Sequence, residues 1–377
     1  MRFTISPGNR NRFGGRLVLL AACLFSLCFE SAGSEPPSTD LQTIVERLAR
    51  DKQVCAVSYA TIHAGKLSSS GGASGCDHTR VPTDDSVFQA ASLSKPVFAY
   101  AVLKLAQEGS LNLDAPLVSY LPQGYLHIQN PFAFGQPRIT DRVVAPELQA
   151  VTARMVLSHT SGLPNWSSDP LAFDFKPGTS WQYSGEGFML LQRVVESITN
   201  EKLDDFMRHR LFDPLGMSNT AFRWKPQFVD AFMPGMPRYV EIPEALAPLS
   251  LHTSAKDYAK FLAALMADPQ AVQLIVQSPA GVVPKLGLGW GLGWGIEGGE
   301  KATFIWQWGN NPGYRAFVMA STSSGDAVVI LTNSENGLAM AEPIVTTVLP
   351  GAHRAFKSYL VREGFWYFAC KNFNWCM

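Results

Sequence analysis

A serine and a lysine three residues apart, Ser92 and Lys95, form the first candidate for chemistry in this chain. They lie in FQAASLSKPVFAYAVLKLAQEG, where apolar residues recur at helical spacing before Gly109 offers a stop. Pro96 lacks an N–H and is tolerated in a first turn, so the helix is expected to begin near Ser92. Side chains three apart share a helix face, so the lysine can reach the serine hydroxyl. The pair is therefore predicted to be an activated nucleophile, unless the spacing is a coincidence on a solvated helix.

A tyrosine on a turn, Tyr183, is the second candidate, and it stands in WQYSGEG ahead of a predicted helix. Such a tyrosine can act as a general base or proton relay when a nearby cation lowers its pKa. Lys95 would be that cation. The alternative is a half-buried tyrosine with a structural role only.

The stretch QWGNNPGY, residues 307–314, is the third candidate. A glycine at a strand edge, here Gly309, lets the backbone approach a ligand closely. The N–H groups of the stretch could then point at a developing oxyanion. The alternative is a tight hairpin turn beside an aromatic residue.

The elements that must position these residues follow the order strands, helices, strands, helix. Short β-rich segments predict strands at 54–62, 67–73, 88–91, 289–296, 302–307, 314–321 and 327–333. Apolar periodicity predicts helices at 41–50, 153–158, 187–199, 203–211, 254–266 and 338–347. Pro343 in the last of these implies a kink or a later start. Residues 123–142 are rich in Pro, Gly and aromatics and are predicted to be a long surface loop.

This order predicts an α/β (α+β) fold, with a body built from both chain ends around a mainly helical insertion. The predicted boundaries are a signal peptide at 1–33, an α/β body at 34–91 and 249–377, and a mainly helical domain at 92–248.

The chain resembles the serine β-lactamase and penicillin-recognising superfamily in its class C-like branch. That branch includes class C β-lactamases, D,D-carboxypeptidases, D-aminopeptidases and family VIII esterases. Besides Ser92-x-x-Lys95, the motifs that carry the resemblance are LSHTSGLP at 157–164, FKPG…YS within 175–184, PLGMSNT at 214–220 and SAKDYAKFL at 254–262. The resemblance implies a β-lactamase/transpeptidase-like fold, an antiparallel sheet flanked by helices with a mainly helical inserted domain.

The resemblance also implies roles for individual residues. Ser92 would be the acylated nucleophile, Lys95 its activating partner and Tyr183 the residue that shuttles the proton. The backbone N–H groups of Ser92 and Asn310 would form the oxyanion hole. The implied substrate-binding positions are Gly185, Gln307, Trp308 and Gly309. No metal or organic cofactor is implied.

Two positions depart from the family pattern. The family has Asn two residues after the tyrosine, where this chain has Gly185. The family has Lys or His at the start of the third motif, where this chain has Gln307 and no K-T-G or K-S-G follows elsewhere. A neutral Gln offers no charge attraction to a substrate carboxylate, although Arg315 could compensate. We therefore expect weak or absent β-lactamase and carboxypeptidase activity, and an ester or amide substrate without an essential carboxylate.

Aromatic residues and a histidine near the motifs leave further alternatives. His159 is expected to pin its loop rather than to act as a catalytic base. Trp290, Trp294, Trp306 and Trp308 could line an aromatic cleft that favours apolar or aromatic acyl groups, or could pack in the core.

The N-terminus is predicted to be a secretory signal peptide. Basic residues precede an apolar run at 17–29, and small residues follow at 31–34. The protein is therefore expected to be secreted or periplasmic. Lipidation at Cys23 and an uncleaved anchor are the alternatives, and only these would bring membrane contact.

The mature chain would retain four cysteines, an even count that suggests two disulfides in an exported protein. The favoured pairing among three is Cys55 with Cys76 and Cys370 with Cys376. With 31 basic and 31 acidic residues, the chain gives no reason to expect a nucleic-acid partner. The oligomeric state stays open.

The leading hypothesis is an exported serine hydrolase that acts through an acyl-enzyme on small-molecule esters or amides. The alternatives are a hydrolase of D-alanyl peptides or β-lactams, and a non-catalytic binding protein that keeps the fold. Gly185 and Gln307 favour the non-catalytic alternative.

Overall fold

A large antiparallel sheet draws its strands from both chain ends in the computed structural model, which describes residues 40–77, 80–299 and 302–362. The strands described are β1 Val57–His63, β2 Lys66–Ala73, β3 Phe88–Gln89, β4 Leu126–Ile128, β5 Thr140–Arg142, β6 His252–Thr253, β7 Ala280–Val283, β8 Leu288–Trp290, β9 Gly295–Gly298, β10 Thr303–Asn311, β11 Tyr314–Ser321 and β12 Ala327–Thr332. Eight of them form the sheet, in the order β2-β1-β12-β11-β10-β9-β8-β7. Two small pairs, β3 with β6 and β4 with β5, stand apart from it.

Helices cover both faces of this sheet. Those described are α1 Leu41–Lys52, α2 Ser94–Gln107, α3 Ala153–Leu157, α4 Gly185–Thr199, α5 Leu203–Met207, α6 Ala255–Met266, α7 Pro269–Val276 and α8 Ala341–Val348. Helices α1 and α8 pack with one sheet face and α2 and α6 with the other. Alternate side chains of a strand point to opposite faces, so Val328 and Ile330 of β12 join the first layer, and Val329 and Leu331 join the second. Because both faces of β12 are covered in this way, every residue of the strand is buried.

The predicted fold class, an antiparallel sheet flanked by helices, is confirmed, with local corrections. The strand predicted at 289–296 is wrong, because the chain turns back between β8 and β9, where Gly291 N–H donates to the Trp294 carbonyl at 2.8 Å. The loop predicted at 123–142 contains the β4–β5 pair and buries His127. Helix α7 and strand β7 were not predicted, since both are short and their segments lack strong periodicity.

The last helix bears out the later start that Pro343 implied, because α8 begins at Ala341 and places the proline in its first turn. The domain boundaries at 91/92 and 248/249 stay a prediction. Among the described residues, no single helix is long and apolar enough to cross a membrane. Helices α6 and α7 pass that test only as a pair, bent by 88° at the break between them.

The disulfide predicted between Cys55 and Cys76 is present. The predicted Cys370–Cys376 pair, the signal peptide at 1–33 and Cys23 lie outside the described residues.

Candidate active site

Ser92 lies in a 3₁₀ turn, Ala91–Leu93, that leads directly into α2, so the helix proper begins two residues after the serine. Ala91 has a φ of +50°, a left-handed conformation that costs a non-glycine residue about 1–2 kcal/mol. Neighbouring hydrogen bonds hold the turn in place. Ser94 Oγ donates to the Ala91 carbonyl at 2.5 Å and accepts from Leu251 N–H at 3.0 Å. The serine is therefore presented on a tightly fixed turn.

Lys95 meets Ser92 as the spacing predicted. Its Nζ lies 3.2 Å from Ser92 Oγ and donates to the Pro248 carbonyl at 2.9 Å. The side chain is buried, and burial lowers the pKa of Lys95 well below its usual value. In the described part of the chain, no carboxylate contacts Nζ, so nothing raises the pKa of Lys95 against the effect of burial. The geometry thus favours a neutral amine with its lone pair available to the serine proton.

Tyr183 completes this group. Its Oη accepts a hydrogen bond from Gln307 Nε2 at 2.9 Å, and its ring face lies 4.5 Å from Lys95 Nζ. Tyr183 is partly exposed, but burial of the phenol raises its pKa, against hydrogen bonds with Ser92 and Gln307 that lower it. The expectation that Lys95 lowers this pKa is therefore wrong in its net effect. Tyr183 is a phenol that can donate a proton, and the lysine amine is the better acceptor.

Gln307 is buried beneath these residues. Besides the bond to Tyr183, its Nε2 donates to the Ser92 carbonyl at 3.1 Å. Both amide hydrogens are thus committed, and Oε1 is buried without a hydrogen-bond partner in the described structure. The expectation that Gln307 binds substrate directly needs correction, because its side chain holds the catalytic candidates and does not line the cavity.

His159 pins the tyrosine loop, as expected. Its Nδ1 accepts from Ser184 N–H at 3.1 Å, and its carbonyl accepts from Gln182 N–H at 2.9 Å. The imidazole packs on the Tyr183 ring at a centroid distance of 4.4 Å. Burial lowers the pKa of His159 well below its usual value, so the ring is neutral.

Strand β10 brings the third motif against the serine turn. A Cβ on Gly309 would meet the Ala90 carbonyl oxygen at 2.6 Å and Ala91 Cβ at 3.2 Å, so only glycine allows this approach. The strand therefore contacts the turn through backbone, and Gly309 has a packing role.

Asn310 follows on the same strand. The turn between β10 and β11 is closed by Asn311 opposite Tyr314, and Asn310 stands opposite Arg315. Hydrogen-bonded and non-hydrogen-bonded pairs alternate along an antiparallel ladder, so the Asn310 N–H points away from β11. β9 pairs with only the first half of β10, which leaves this edge without a partner strand among those described. Asn310 and Ser92 both line the cavity described next.

A cavity of about 600 Å³ opens over Ser92. Its walls are mostly apolar, and Lys95 is the one basic residue among the lining residues of the described structure. The lining consists of Ser92, Lys95, Phe132, Asn165, Trp166, Tyr183, Val240, Ile242, Leu249, Trp308, Asn310, Asn311 and Pro312. Such a site suits an uncharged ligand with a substantial apolar part.

Of the four tryptophans that could line a cleft or pack in the core, one lines the cavity and three pack in the core. Trp308 lines the cavity, whereas Trp290, Trp294 and Trp306 are fully buried in the core. Arg315 does not line the cavity, and its guanidinium donates to the Tyr314 carbonyl at 3.0 Å. It therefore does not replace the missing cation of the third motif.

Gly185 begins α4 and is buried away from the cavity lining. Its implied role as a substrate contact therefore needs correction, and the cavity is lined at this point by its neighbours Asn165 and Trp166. The sequence analysis missed these two residues and the walls at Phe132, Val240, Ile242 and Leu249. The aromatic content of 123–142 was the one signal that could have pointed to part of this wall.

A model of the family described as Beta-lactamase matches residues 41–347. Penicillin-binding protein 4* of Bacillus subtilis (strain 168) is 29% identical over 177 residues, covering 40% of this chain and 34% of the relative. Lovastatin esterase of Penicillium rubens is 29% identical over 164 residues, covering 37% and 40%. Esterase EstB of Burkholderia gladioli is 30% identical over 171 residues, covering 37% and 39%. The chain thus matches about a third to two fifths of the length of these relatives.

Solved structures share the fold. The D-amino acid amidase from Ochrobactrum anthropi SV3 superposes with a TM-score of 0.66 at 21% identity, covering 82% of this chain and 99% of the amidase. The octameric penicillin-binding protein homologue from Pyrococcus abyssi gives 0.62 at 18% identity, covering 82% and 76%. These identities support a shared fold alone. Since the family match spans well over half of the chain, this protein belongs to the Beta-lactamase family.

Proposed function

We propose that this protein is an exported serine hydrolase that cleaves uncharged esters, and amides of the same kind, through an acyl-enzyme on Ser92. The observation that carries the proposal is the 3.2 Å contact between Ser92 Oγ and the buried Lys95 amine at the floor of an apolar cavity. A serine with a neutral base in hydrogen-bond reach is the common requirement of nucleophilic acyl transfer.

Acylation follows from the positions of three side chains. Lys95 Nζ takes the Ser92 proton while Oγ attacks the substrate carbonyl carbon, and the carbonyl oxygen becomes an oxyanion facing the N–H groups of Ser92 and Asn310. When the bond to the leaving group breaks, the departing oxygen or nitrogen receives a proton from Lys95 through the Tyr183 hydroxyl. Water then attacks the acyl-enzyme by the reverse proton path and releases the carboxylic acid.

The residues that line the cavity favour an ester substrate that carries no carboxylate group. A substrate carboxylate would find no basic residue besides Lys95 among the described lining residues, and burial favours the neutral form of Lys95. Two of the relatives named above are esterases by name, which agrees with this choice. The proposal favours hydrolysis over the non-catalytic alternative because Ser92, Lys95 and Tyr183 meet within hydrogen-bonding and ring-contact distance.

Export rests on the N-terminal sequence pattern and is supported by the Cys55–Cys76 disulfide, a bond typical of oxidising compartments.

Intact-protein mass spectrometry with p-nitrophenyl acetate tests the proposal. We expect an acetyl adduct on the wild-type protein, none on Ser92→Ala, and a loss of turnover of about 10³-fold or more in that variant. Ser119→Ala, which changes an exposed serine in the 3₁₀ helix Leu117–Tyr120, is the matched control and should behave as wild type. Unchanged turnover by Ser92→Ala would falsify the proposal, and so would a wild-type protein that neither forms the adduct nor turns over the ester.

A further inference from the structure

The space beside Gly185 is filled by the side chain of another residue. A Cβ built on Gly185 would meet Trp166 Cη2 at 2.5 Å and Cζ2 at 2.7 Å, and the Asn165 carbonyl oxygen at 2.7 Å. Two of these contacts are with a rigid ring and the third is with backbone. A larger side chain at 185 therefore requires the 165–166 segment to move.

The backbone on both sides of Trp166 is hydrogen-bonded to α4. The N–H groups of Gly185 and Glu186 both donate to the Asn165 carbonyl, at 3.0 and 3.2 Å. On the other side of the tryptophan, Ser167 N–H donates to the Glu186 carboxylate at 3.1 Å. The segment is thus anchored to the first turn of α4 immediately before and after Trp166.

The indole also forms one wall of the cavity over Ser92. Phe132 packs edge-on against it, with ring centroids 4.8 Å apart and an interplanar angle of 76°. Ile242 and Leu249 line the cavity as well, and they belong to an apolar cluster against which Trp166 packs. An acyl group bound here would meet aromatic and branched side chains and would find no charged side chain apart from Lys95 among the described lining residues.

We propose that Trp166 is the specificity-determining residue of the acyl subsite, and that this subsite selects esters of uncharged aromatic or branched aliphatic carboxylic acids. The inference rests on the proposed hydrolysis at Ser92. Gly185 and Trp166 act as a pair, since the absence of a side chain at 185 is what lets the indole occupy its position. Removal of the indole should therefore affect bulky apolar acyl groups far more than an acetyl group.

The test compares p-nitrophenyl phenylacetate with p-nitrophenyl acetate, which share a leaving group and differ only in the acyl part. We expect wild type to have the higher kcat/KM for the phenylacetate ester. Trp166→Ala should reduce the ratio of the two kcat/KM values by about 10-fold, which corresponds to about 1.4 kcal/mol of lost aromatic contact. Trp166→Phe, which keeps a ring, should retain most of the ratio.

The double variant Trp166→Ala/Gly185→Asn tests the pairing. Gly185→Asn alone should lower the unfolding temperature and the turnover of both esters, because its side chain collides with the indole. With the indole removed, the same substitution should cost less on both measures, so the two changes are not additive. Additive losses in the double variant would contradict the pairing.

The remaining outcomes separate the two proposals. An unchanged ester ratio in Trp166→Ala, in a protein that still turns over the acetate ester, overturns the specificity assignment alone. A wild-type protein that cleaves neither ester overturns the proposed function and this inference with it. If Trp166→Ala does not fold, Trp166→Leu serves instead, since it keeps apolar volume without a ring. A folded Leu variant that keeps the wild-type ratio would overturn the assignment.

Discussion

Residue environment decides the chemistry at Ser92. Lys95 is buried and Tyr183 is half-buried, and this loss of contact with water pushes their pKa values in opposite directions, that of the lysine down and that of the phenol up. Each group is thereby kept neutral. A neutral amine accepts the serine proton and a neutral phenol passes one on, which is the combination that acyl transfer requires.

The protonation state of Lys95 makes the activity pH-dependent. Its depressed pKa means that activity is present above that pKa and is lost as pH falls through it, because the ammonium cannot accept the serine proton. We expect kcat/KM to fall on the acidic side with a single ionisation. Lys95→Arg should abolish turnover at every pH, since a guanidinium stays protonated. Residual turnover by Lys95→Arg with the wild-type pH profile would contradict the role of Lys95 as base.

The amide of Gln307 donates to the Ser92 carbonyl and to Tyr183 Oη, so we expect it to position these two residues rather than the substrate. Gln307→Glu is nearly isosteric, but a carboxylate cannot donate to the Ser92 carbonyl, and it reverses the second hydrogen bond by accepting from Tyr183 Oη. We expect kcat to fall about 10- to 100-fold, from roughly 1–3 kcal/mol of lost interactions, with KM little changed. Steady-state kinetics with p-nitrophenyl acetate measure this split. A rise in KM at constant kcat would instead favour the original expectation that Gln307 contacts substrate.

At the scale of elements, the cavity wall depends on a buried ionic cluster. His127 of β4 lies between two carboxylates, with Nδ1 at 2.7 Å from Asp141 Oδ1 of β5 and Nε2 at 3.4 Å from Glu186 Oε2 of α4. Asp141 also accepts from Leu171 N–H at 3.2 Å. The cluster thus connects the β4–β5 pair and the chain near residue 171 to the helix that begins at Gly185.

This cluster predicts that stability declines as pH rises above the unfolded-state pKa of His127. Burial lowers the pKa of His127, but hydrogen bonds and charges from Glu186 and Asp141 outweigh it and raise the pKa above 6.5. Its contribution is therefore complete below the unfolded-state pKa and is lost as pH rises through the folded-state pKa. We expect the unfolding temperature of wild type to fall over that interval, and His127→Gln to fall less steeply. His63→Gln, at an exposed histidine also paired with an aspartate, is the control. Equal slopes for wild type and His127→Gln would rule out this linkage.

At the scale of the molecule, the sheet joins distant parts of the chain. β1 and β2 come from the N-terminal part and β7–β12 from the C-terminal part, so the third motif on β10 reaches the serine turn only when the sheet forms. The Cys55–Cys76 disulfide lies just outside β1 and β2 at one end of the sheet, three strands away from β10.

Because the disulfide lies far from the site, its removal should reduce stability but leave activity nearly unchanged. Its loop spans 21 residues, for which the chain-entropy account gives a stabilisation of about 3 kcal/mol. We expect Cys55→Ser/Cys76→Ser to lower the unfolding temperature by an amount on the order of 5 °C, with esterase activity at 20 °C within about twofold of wild type. Calorimetry and kinetics on one preparation measure both. A large loss of kcat in a folded double variant would show that the disulfide also shapes the site.

The features that could be predicted from the sequence are mostly local ones. Helical spacing placed Ser92 and Lys95 on one face, and β-rich segments and ordered motifs predicted the sheet and the family. These succeeded because periodicity and short motifs depend on neighbours along the chain. The break between β8 and β9 and the short elements α7 and β7 lay beyond that range.

The environment of the site, in contrast, depends on contacts between residues that are far apart in the chain. The pKa directions of Lys95 and Tyr183 depend on burial by residues far along the chain, and the two hydrogen bonds of Gln307 span 124 and 215 positions. The contact between Trp166 and Gly185 is a further example. The sequence showed that Gly185 replaces the asparagine of the family pattern, and the structure showed that the indole of Trp166 fills the space beside Gly185. Desolvation and packing depend on all the residues that are close in space, and the order of residues along the chain does not reveal which residues these are.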